Sequence, residues 1–378
     1  MNRTGWVVIA LLIFLAGCVP SKTIEDMGII NVRGVDMLED DAIKTTIAAF
    51  KFRTKENEVT QIVTGKAHTL KRARQAANEK ISIELTPGSI QLELYSEEAA
   101  KHGLMHYIMA LERDAQVSDT MYLTIGDSTA EEIIVAAQKN SDIDVRQYFN
   151  SLVTQNAKNN AIPDPTLIDF VNEYYKIGRD PYLPVLSVKD KRPVLSSVAL
   201  FQDDYFVGKI PVDKAYLITM FHKTIHKLDI QVPIPLKAFK NDLKSGTDQH
   251  PDKKYAYASL HIQKGKAKTK LTDKQNMTFQ TDVKLDLDLL EVSEQISMKD
   301  PKVMKKFEKV VEKQVKDQYE RLLAYTQQVG ADPFGYGVVY RINHRGNKPG
   351  SAKLHDIYPN INVHFNVKAR IKHHGMLP

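Results

Sequence analysis

A lone cysteine, Cys18, in a chain of 378 residues sets the first condition on how this protein folds. Without a second thiol there is no intrachain disulfide, so an exported body would have to fold without such staples. The composition allows this. With 43% hydrophobic and 26% charged residues, the chain is ordinary globular material, long enough for two domains or a few small ones.

The position of Cys18 matters as much as its solitude. Residues 1–20 read as one basic residue at Arg3, an apolar run from Trp6 to Leu15, two small residues, then the cysteine. This is the form of a secretory signal peptide, and the run is shorter than the roughly 20 residues a spanning helix needs. Leu15-Ala16-Gly17-Cys18 also resembles the lipobox of bacterial lipoproteins. That resemblance implies cleavage before Cys18 and attachment of diacylglycerol to its thiol. Two or three acyl chains on one residue anchor stably, since each buried methylene adds about 0.8 kcal/mol. An uncleaved anchor, or a secreted protein in which Cys18 is incidental, are the plainer alternatives. The span from Val19 to Met27 reaches at most about 30 Å, so a lipidated chain would sit close to its bilayer.

Residues 1–17 contain one Arg and no acid, so their removal lowers the net charge from +6 to +5. Lysine clusters at Lys264-Gly265-Lys266-Ala267-Lys268 and at Lys305-Lys306, with acids such as Glu308, Glu312 and Asp317 interleaved near the second. Interleaving and export both argue against a nucleic-acid partner. A solvated surface is the default reading, and attraction to anionic headgroups is the functional one.

The pattern along the chain mixes strands and helices. Gly28 to Asp36 and Ala42 to Phe52 read as a hairpin around Glu39-Asp40-Asp41, with a third strand at Val59 to Thr64 closed by Gly65. A helix is expected over His68 to Lys80, a half-buried strand over Ile90 to Tyr95, and a single helix over Glu97 to Glu112. Met121 to Ile125 is a short strand running into a helix that Ser128 is placed to cap. Helices also fit Asp144 to Lys158 and Asp164 to Lys176, the second with a proline in its first turn. The turn-formers between Gly178 and Pro184 suggest a boundary near Lys191.

Beyond it, Val194 to Phe201 and Tyr205 to Gly208 form a hairpin, Val212 to Lys223 a helix, and Lys240 to Lys254 a mobile polar loop. Tyr255 to Ile262 and Phe279 to Leu289 are strands, the second with Val283, Leu285, Leu287 and Leu289 on one face. Asp300 to Gln327 is a long amphipathic helix with Pro301 at its first position, and Ile361 to Lys372 a strictly alternating strand. Hairpins without a steady strand-helix-strand repeat indicate an α+β fold, multi-domain, with mixed or antiparallel sheets packed against helices.

Several stretches, in order, resemble one family: the lipoprotein C subunit of bacterial spore germinant receptors, the Ger(x)C family. They are Ile24 to Ile30 leading into Gly34-Val35-Asp36, Glu98 to Gly103 with Arg113, Ala130 to Ile134, and Val198 to Phe201 with Val207-Gly208. The strongest is Gly330-Ala331-Asp332-Pro333-Phe334-Gly335-Tyr336-Gly337, directly after the long helix. The resemblance implies a leader at 1–17, a lipidated end and tether at 18–27, an N-terminal region 28–190 and a C-terminal region 191–378, the last open to further division. It implies no enzymatic activity and no cofactor. It also implies a place on the outer face of the spore inner membrane, beside integral-membrane A and B subunits that together trigger nutrient-induced germination. An aromatic is usual soon after the lipidated cysteine, where Val19-Pro20 stand here, and His68 to Pro87 matches poorly.

Residues able to carry chemistry are few. His222 and His226 are four apart, so both could face one ligand, but Lys223 stands where a zinc protease needs Glu. They read as surface or core histidines, and His373-His374 as exposed. Asp127-Ser128 lacks the Gly-x-Ser-x-Gly elbow, and no phosphate-cradling loop is present. Gly335 and Gly337 read as serving a tight turn or close backbone packing. The one site residue expected is Cys18, with no catalytic, cofactor or metal residue. The rival readings are a substrate-binding lipoprotein of a membrane transporter, which needs two similar doubly wound lobes, and an exported hydrolase, which needs a convergent acid-base cluster.

Overall fold

A computed structural model describes residues 27–51, 59–88, 90–140, 143–243, 253–298, 300–344, 346 and 348–373. Cys18, the leader and the tether up to residue 26 lie outside the described residues, as does most of the polar stretch 240–254.

The opening hairpin forms as expected, from β1 (Met27–Met37) and β2 (Ile43–Lys51), with β3 (Val59–Ala67) added antiparallel on β2. Gly65 does not end β3 but lies within it. A Cβ there would stand 2.0 Å from the Ala73 carbonyl oxygen, so the glycine lets helix α1 (Leu70–Asn78) lie directly on the strand. The sheet continues through β4 (Glu84–Thr86) and β5 (Leu92–Ser96) on β1, then β6 (Tyr122–Gly126), β7 (Tyr182–Lys189), β8 (Arg192–Gln202) and β9 (Tyr205–Pro211). Its outer pairs are antiparallel, whereas β1, β5, β6 and β7 run parallel. That parallel centre is covered on both faces, by α1, α2 (Glu97–Lys101), α3 (Met105–Glu112) and α6 (Leu167–Tyr174) on one side and by α4 (Ala130–Asn140) and α5 (Val145–Lys158) on the other.

Double coverage overturns one expectation. Alternation over Ile90 to Tyr95 suggested a wet face, yet every residue of β5 is buried, Glu93 included. Arg33, its register partner on β1, donates from Nε to both Glu93 oxygens at 3.0 and 2.9 Å. The apparent polar face is a buried ion pair inside the sheet. The helix expected over Glu97 to Glu112 is two, broken at Gly103, whose φ of 91° belongs to the left-handed region. Ser128 caps nothing. Thr129 Oγ1 accepts from Glu132 N at 3.2 Å, and Asp36 of β1 accepts from Ala130 N at 2.6 Å. The helix expected from Asp164 starts instead at Leu167, capped by Thr166.

The turn Asp190-Lys191 stands at the expected boundary, and the sheet passes through it from β7 to β8. After α7 (Ala215–His222), a second sheet is ordered β10 (Leu228–Pro235), β11 (Tyr255–Asp273), β12 (Thr278–Val292) and β13 (Asn362–His373). β11 runs well past Ile262. A bulge between Ile262 and Lys264 keeps the lysines outward, while Gly265 and Ala267 face the core. The long helix α8 (Pro301–Val329) packs Phe307, Val311, Val315 and Tyr319 on the inner face, with Asp300 as cap and Pro301 in its first turn. Tyr319 stacks on Phe365 of β13 at 5.0 Å and donates to the Leu217 carbonyl of α7 at 3.1 Å. β13 pairs parallel with β12, and its free edge is covered: Glu312 accepts from Ala369 N at 3.2 Å and Glu308 from Ile371 N at 2.8 Å. The α+β expectation stands.

Candidate functional site

Two stretches singled out in the sequence, Gly178 to Pro184 and Gly330 to Gly337, converge where the two halves meet. The chain leaving α6 through Gly178 crosses the chain leaving α8 through Gly337 with their backbones in contact. Gly178 has a φ of 98°, and a Cβ on it would lie 2.6 Å from the Gly337 carbonyl carbon. Val338 N donates to the Gly178 carbonyl at 2.9 Å. Gly330 and Gly335 also take left-handed conformations, the first ending α8 and the second preceding α9 (Tyr336–Ile342).

Two aspartates lock this crossing. Asp332 N donates to Asp180 Oδ2 at 2.7 Å, and Asp180 N donates to the Asp332 carbonyl at 3.0 Å. The Asp332 carboxylate accepts from Gly335 N and Gly337 N, each at 2.8 Å, folding its own loop around itself. Burial nevertheless raises its pKa to about 7, with Asp180 nearby adding to the shift. Asp180 Oδ1 accepts from Asp203 N and from His355 Nε2 of α10 (Ser351–Ile357), both at 3.0 Å. That hydrogen bond raises the His355 pKa. Asp203 takes Ser351 Oγ at 3.0 Å, and the adjacent Asp204 accepts from Met105 N at 2.8 Å. One hairpin turn thus touches both halves.

His222, the last residue of α7, seals the other side. Its Nε2 donates to the Pro333 carbonyl at 2.7 Å, while Nδ1 accepts from Arg179 Nη1 at 2.6 Å. A carbonyl only accepts and a guanidinium only donates, so the ring is neutral with its proton on Nε2. Burial, reinforced by the Arg179 charge, lowers its pKa to about 3. Tyr182 stacks on the ring at 5.7 Å, and Arg179 also pairs with Glu173. A cleft of about 130 Å³ opens here between Glu173, Tyr182 and His222, and Glu173 Oε2 is buried without a protein partner.

Chemically, the crossing is a fastening. Asp180, Asp203 and His355 offer ligand atoms within 4.8 Å of one another, a spacing that suits a metal. Asp180 Oδ1, however, is already held by two donors and Oδ2 by a third, and His355 is its ion-pair partner.

Two family models match the chain, "Spore germination protein N-terminal domain" over residues 20–188 and "Spore germination B3/GerAC like, C-terminal" over residues 196–375. The chain belongs to the Ger(x)C family. Spore germination protein GerQC of Bacillus cereus is 23% identical over 371 residues, covering 97% of each chain. The crystal structure of the GerBC protein is similar in fold, with a TM-score of 0.56 at 13% identity over 90% of this chain and 96% of that one. The family is that of germinant receptor C subunits, and the strongest Ger(x)C stretch, Gly330 to Gly337, is the loop that fastens the two halves.

Cys18, the one site residue expected, lies outside the described residues of this Ger(x)C chain. His222 and His226 do not face one ligand, because the helix ends at His222; the exposed His226 meets the Gln263 carbonyl at 2.8 Å. His373 is exposed and pairs with Asp288 at 2.9 Å. Arg179, Asp180, Asp203 and His355 were missed as a group, since they lie in three separate segments. The one local signal was the cluster of turn-formers from Gly178 to Pro184.

Proposed function

We propose that this chain is a lipid-anchored, non-catalytic subunit of a spore germinant receptor, needed for nutrient-triggered germination and acting by protein contact. The carrying observation is the pairing of both family regions in one chain with Cys18 at the end of its apolar leader. In this reading Cys18 bears the diacylglycerol, and the body lies on the outer face of the spore inner membrane against integral-membrane A and B subunits. Confinement to two dimensions raises its effective concentration near those partners. Among the described residues no helix is long and apolar enough to cross a membrane, so on this reading attachment falls to the N-terminal lipid. The regions 28–190 and 191–378 act as one unit, because the sheet and the crossing at Gly178 and Gly337 join them.

A transporter's binding lipoprotein would be built from two similar doubly wound lobes. Here the sheets have nine and four strands among the described residues, with different topologies. The test is Cys18→Ser in the native spore-former. Loss of fatty-acid labelling, release of the protein from spore membranes, loss of its co-purification with two membrane subunits and a defect toward one class of germinant are expected together. Normal germination by a variant that carries no lipid overturns the anchor reading.

A further inference from the structure

The solvent face of the second sheet carries a row of three lysines in register. Lys266 of β11 stands directly opposite Lys284 of β12, which stands opposite Lys368 of β13. Like charges in register across strands disfavour a sheet. The neighbouring acids relieve them only in part: Asp286 stands opposite Lys264 and Arg370, Asp282 stands opposite Lys268, and no acid stands opposite a member of the lysine row. Asp282 accepts from Gln280 at 2.8 Å and Asn366 at 3.0 Å, and Asp288 from Gln263 at 2.5 Å and His373 at 2.9 Å. Asp286 is 3.8 Å from Lys372. Among the described residues, Lys264, Lys266, Lys268, Lys284, Lys368 and Arg370 form no salt bridge, although several carboxylates lie on the same face.

These six side chains line a concavity of about 790 Å³, to which α8 adds Lys309 and Glu312. Glu312 is itself engaged, by Lys309 Nζ at 2.6 Å and Ala369 N at 3.2 Å. The concavity therefore holds seven cations against two carboxylates, Asp286 and Glu312. Neighbouring strands are about 4.8 Å apart, so the outer lysines of the row are anchored about 10 Å from each other. That span fits an anion bearing two or three linked charged groups rather than a single small ion.

We propose that this concavity binds a small, soluble, multivalent anion of the phosphate class, held by the Lys266, Lys284 and Lys368 row. Lys309 and Glu312 reach this hollow round the free edge of β13, and a rimmed hollow suits a compact solute, whereas a bilayer presents a plane. The proposal stands apart from the anchor and from the receptor reading.

The probe is pyrophosphate, titrated calorimetrically into the full chain in neutral detergent. Saturable binding is expected, weakened at least tenfold in K266Q/K284Q/K368Q and unchanged in K71Q/K139Q/K353Q, which removes three exposed lysines elsewhere. The first variant should also melt no lower than wild type without anion, since it relieves like-charge repulsion, and should lose the rise in Tm that pyrophosphate gives wild type. No saturable binding, equal weakening in both variants, or row-dependent binding to phosphatidylglycerol vesicles without binding to pyrophosphate would each overturn the proposal, the last in favour of a lipid surface.

Discussion

Asp180 and Asp332, 152 residues apart, hold each other's backbone: the amide of Asp332 meets the carboxylate of Asp180, and the amide of Asp180 meets the carbonyl of Asp332. Both side chains are almost fully buried, at 2% and 4% exposure. No ligand is needed to explain so much polarity inside the protein. The contacts of both aspartates shape the Asp332 loop and fix it against the Asp180 loop.

The crossing makes stability depend on pH. Asp332 titrates at about 7 in the folded protein against 3.8 as its ordinary value, so the folded state binds its proton more tightly and loses stability as pH rises between the two. His355, raised by Asp180, acts with the same sign: its contribution is full below its ordinary 6.5 and fades as pH climbs through the raised value. The stability of wild type relative to Asp332→Asn should therefore decline from pH 4 to pH 7, with a slope of up to about 1.4 kcal/mol per unit. Urea titrations of both proteins across that range check it; a constant difference would show that Asp332 does not titrate this way.

Gly337→Ala should destabilise by about 1–3 kcal/mol, because its Cβ would lie 2.8 Å from the Gly178 Cα and neither backbone can retreat without breaking the Asp180 contacts. Gly178→Ala should cost more, since the left-handed conformation adds its own strain. Midpoints of urea unfolding measure both.

The buried pair in the first sheet predicts non-additivity. Glu93→Leu alone leaves the Arg33 guanidinium in the core without a counter-charge and should cost about 3–5 kcal/mol. Arg33→Met with Glu93→Leu should recover most of that loss. A double variant no more stable than the single one would mean that the pair is needed for strand register, not merely tolerated.

Glu308 and Glu312 predict a change in association more than in folding. Replacing both by Ala exposes two backbone donors on the free edge of β13 and should lower stability by about 1–2 kcal/mol. An open edge also invites pairing with a second chain. Analytical ultracentrifugation should show concentration-dependent self-association that wild type lacks.

Local pattern was legible wherever one face of an element meets water. Val283 to Leu289, the alternation of Ile361 to Lys372 and the stripe of α8 were all readable in this way, because period and burial coincide there. The reading failed where both faces are covered. Glu93 looked solvated because a strand pattern does not show that an arginine waits on the next strand, and Ser128 looked like a cap because Asp36 is 94 residues from Ala130. The strand expected to end at Ile262 continues to Asp273, because a bulge between Ile262 and Lys264 keeps its alternation in step with the core.

The sequence alone determined the disulfide-free body, the alternation that builds the second sheet, the long capped helix and the family to which the chain belongs. These depend on near neighbours and on residue order, which a linear text records. Only tertiary structure decided that Asp180, Asp203, Asp332, His222 and His355 form one fastening, and that Lys368 joins two lysines of the β11–β12 hairpin in a single row. Strand register and the crossing of two loops set those proximities, and both are fixed by packing between residues far apart in the chain.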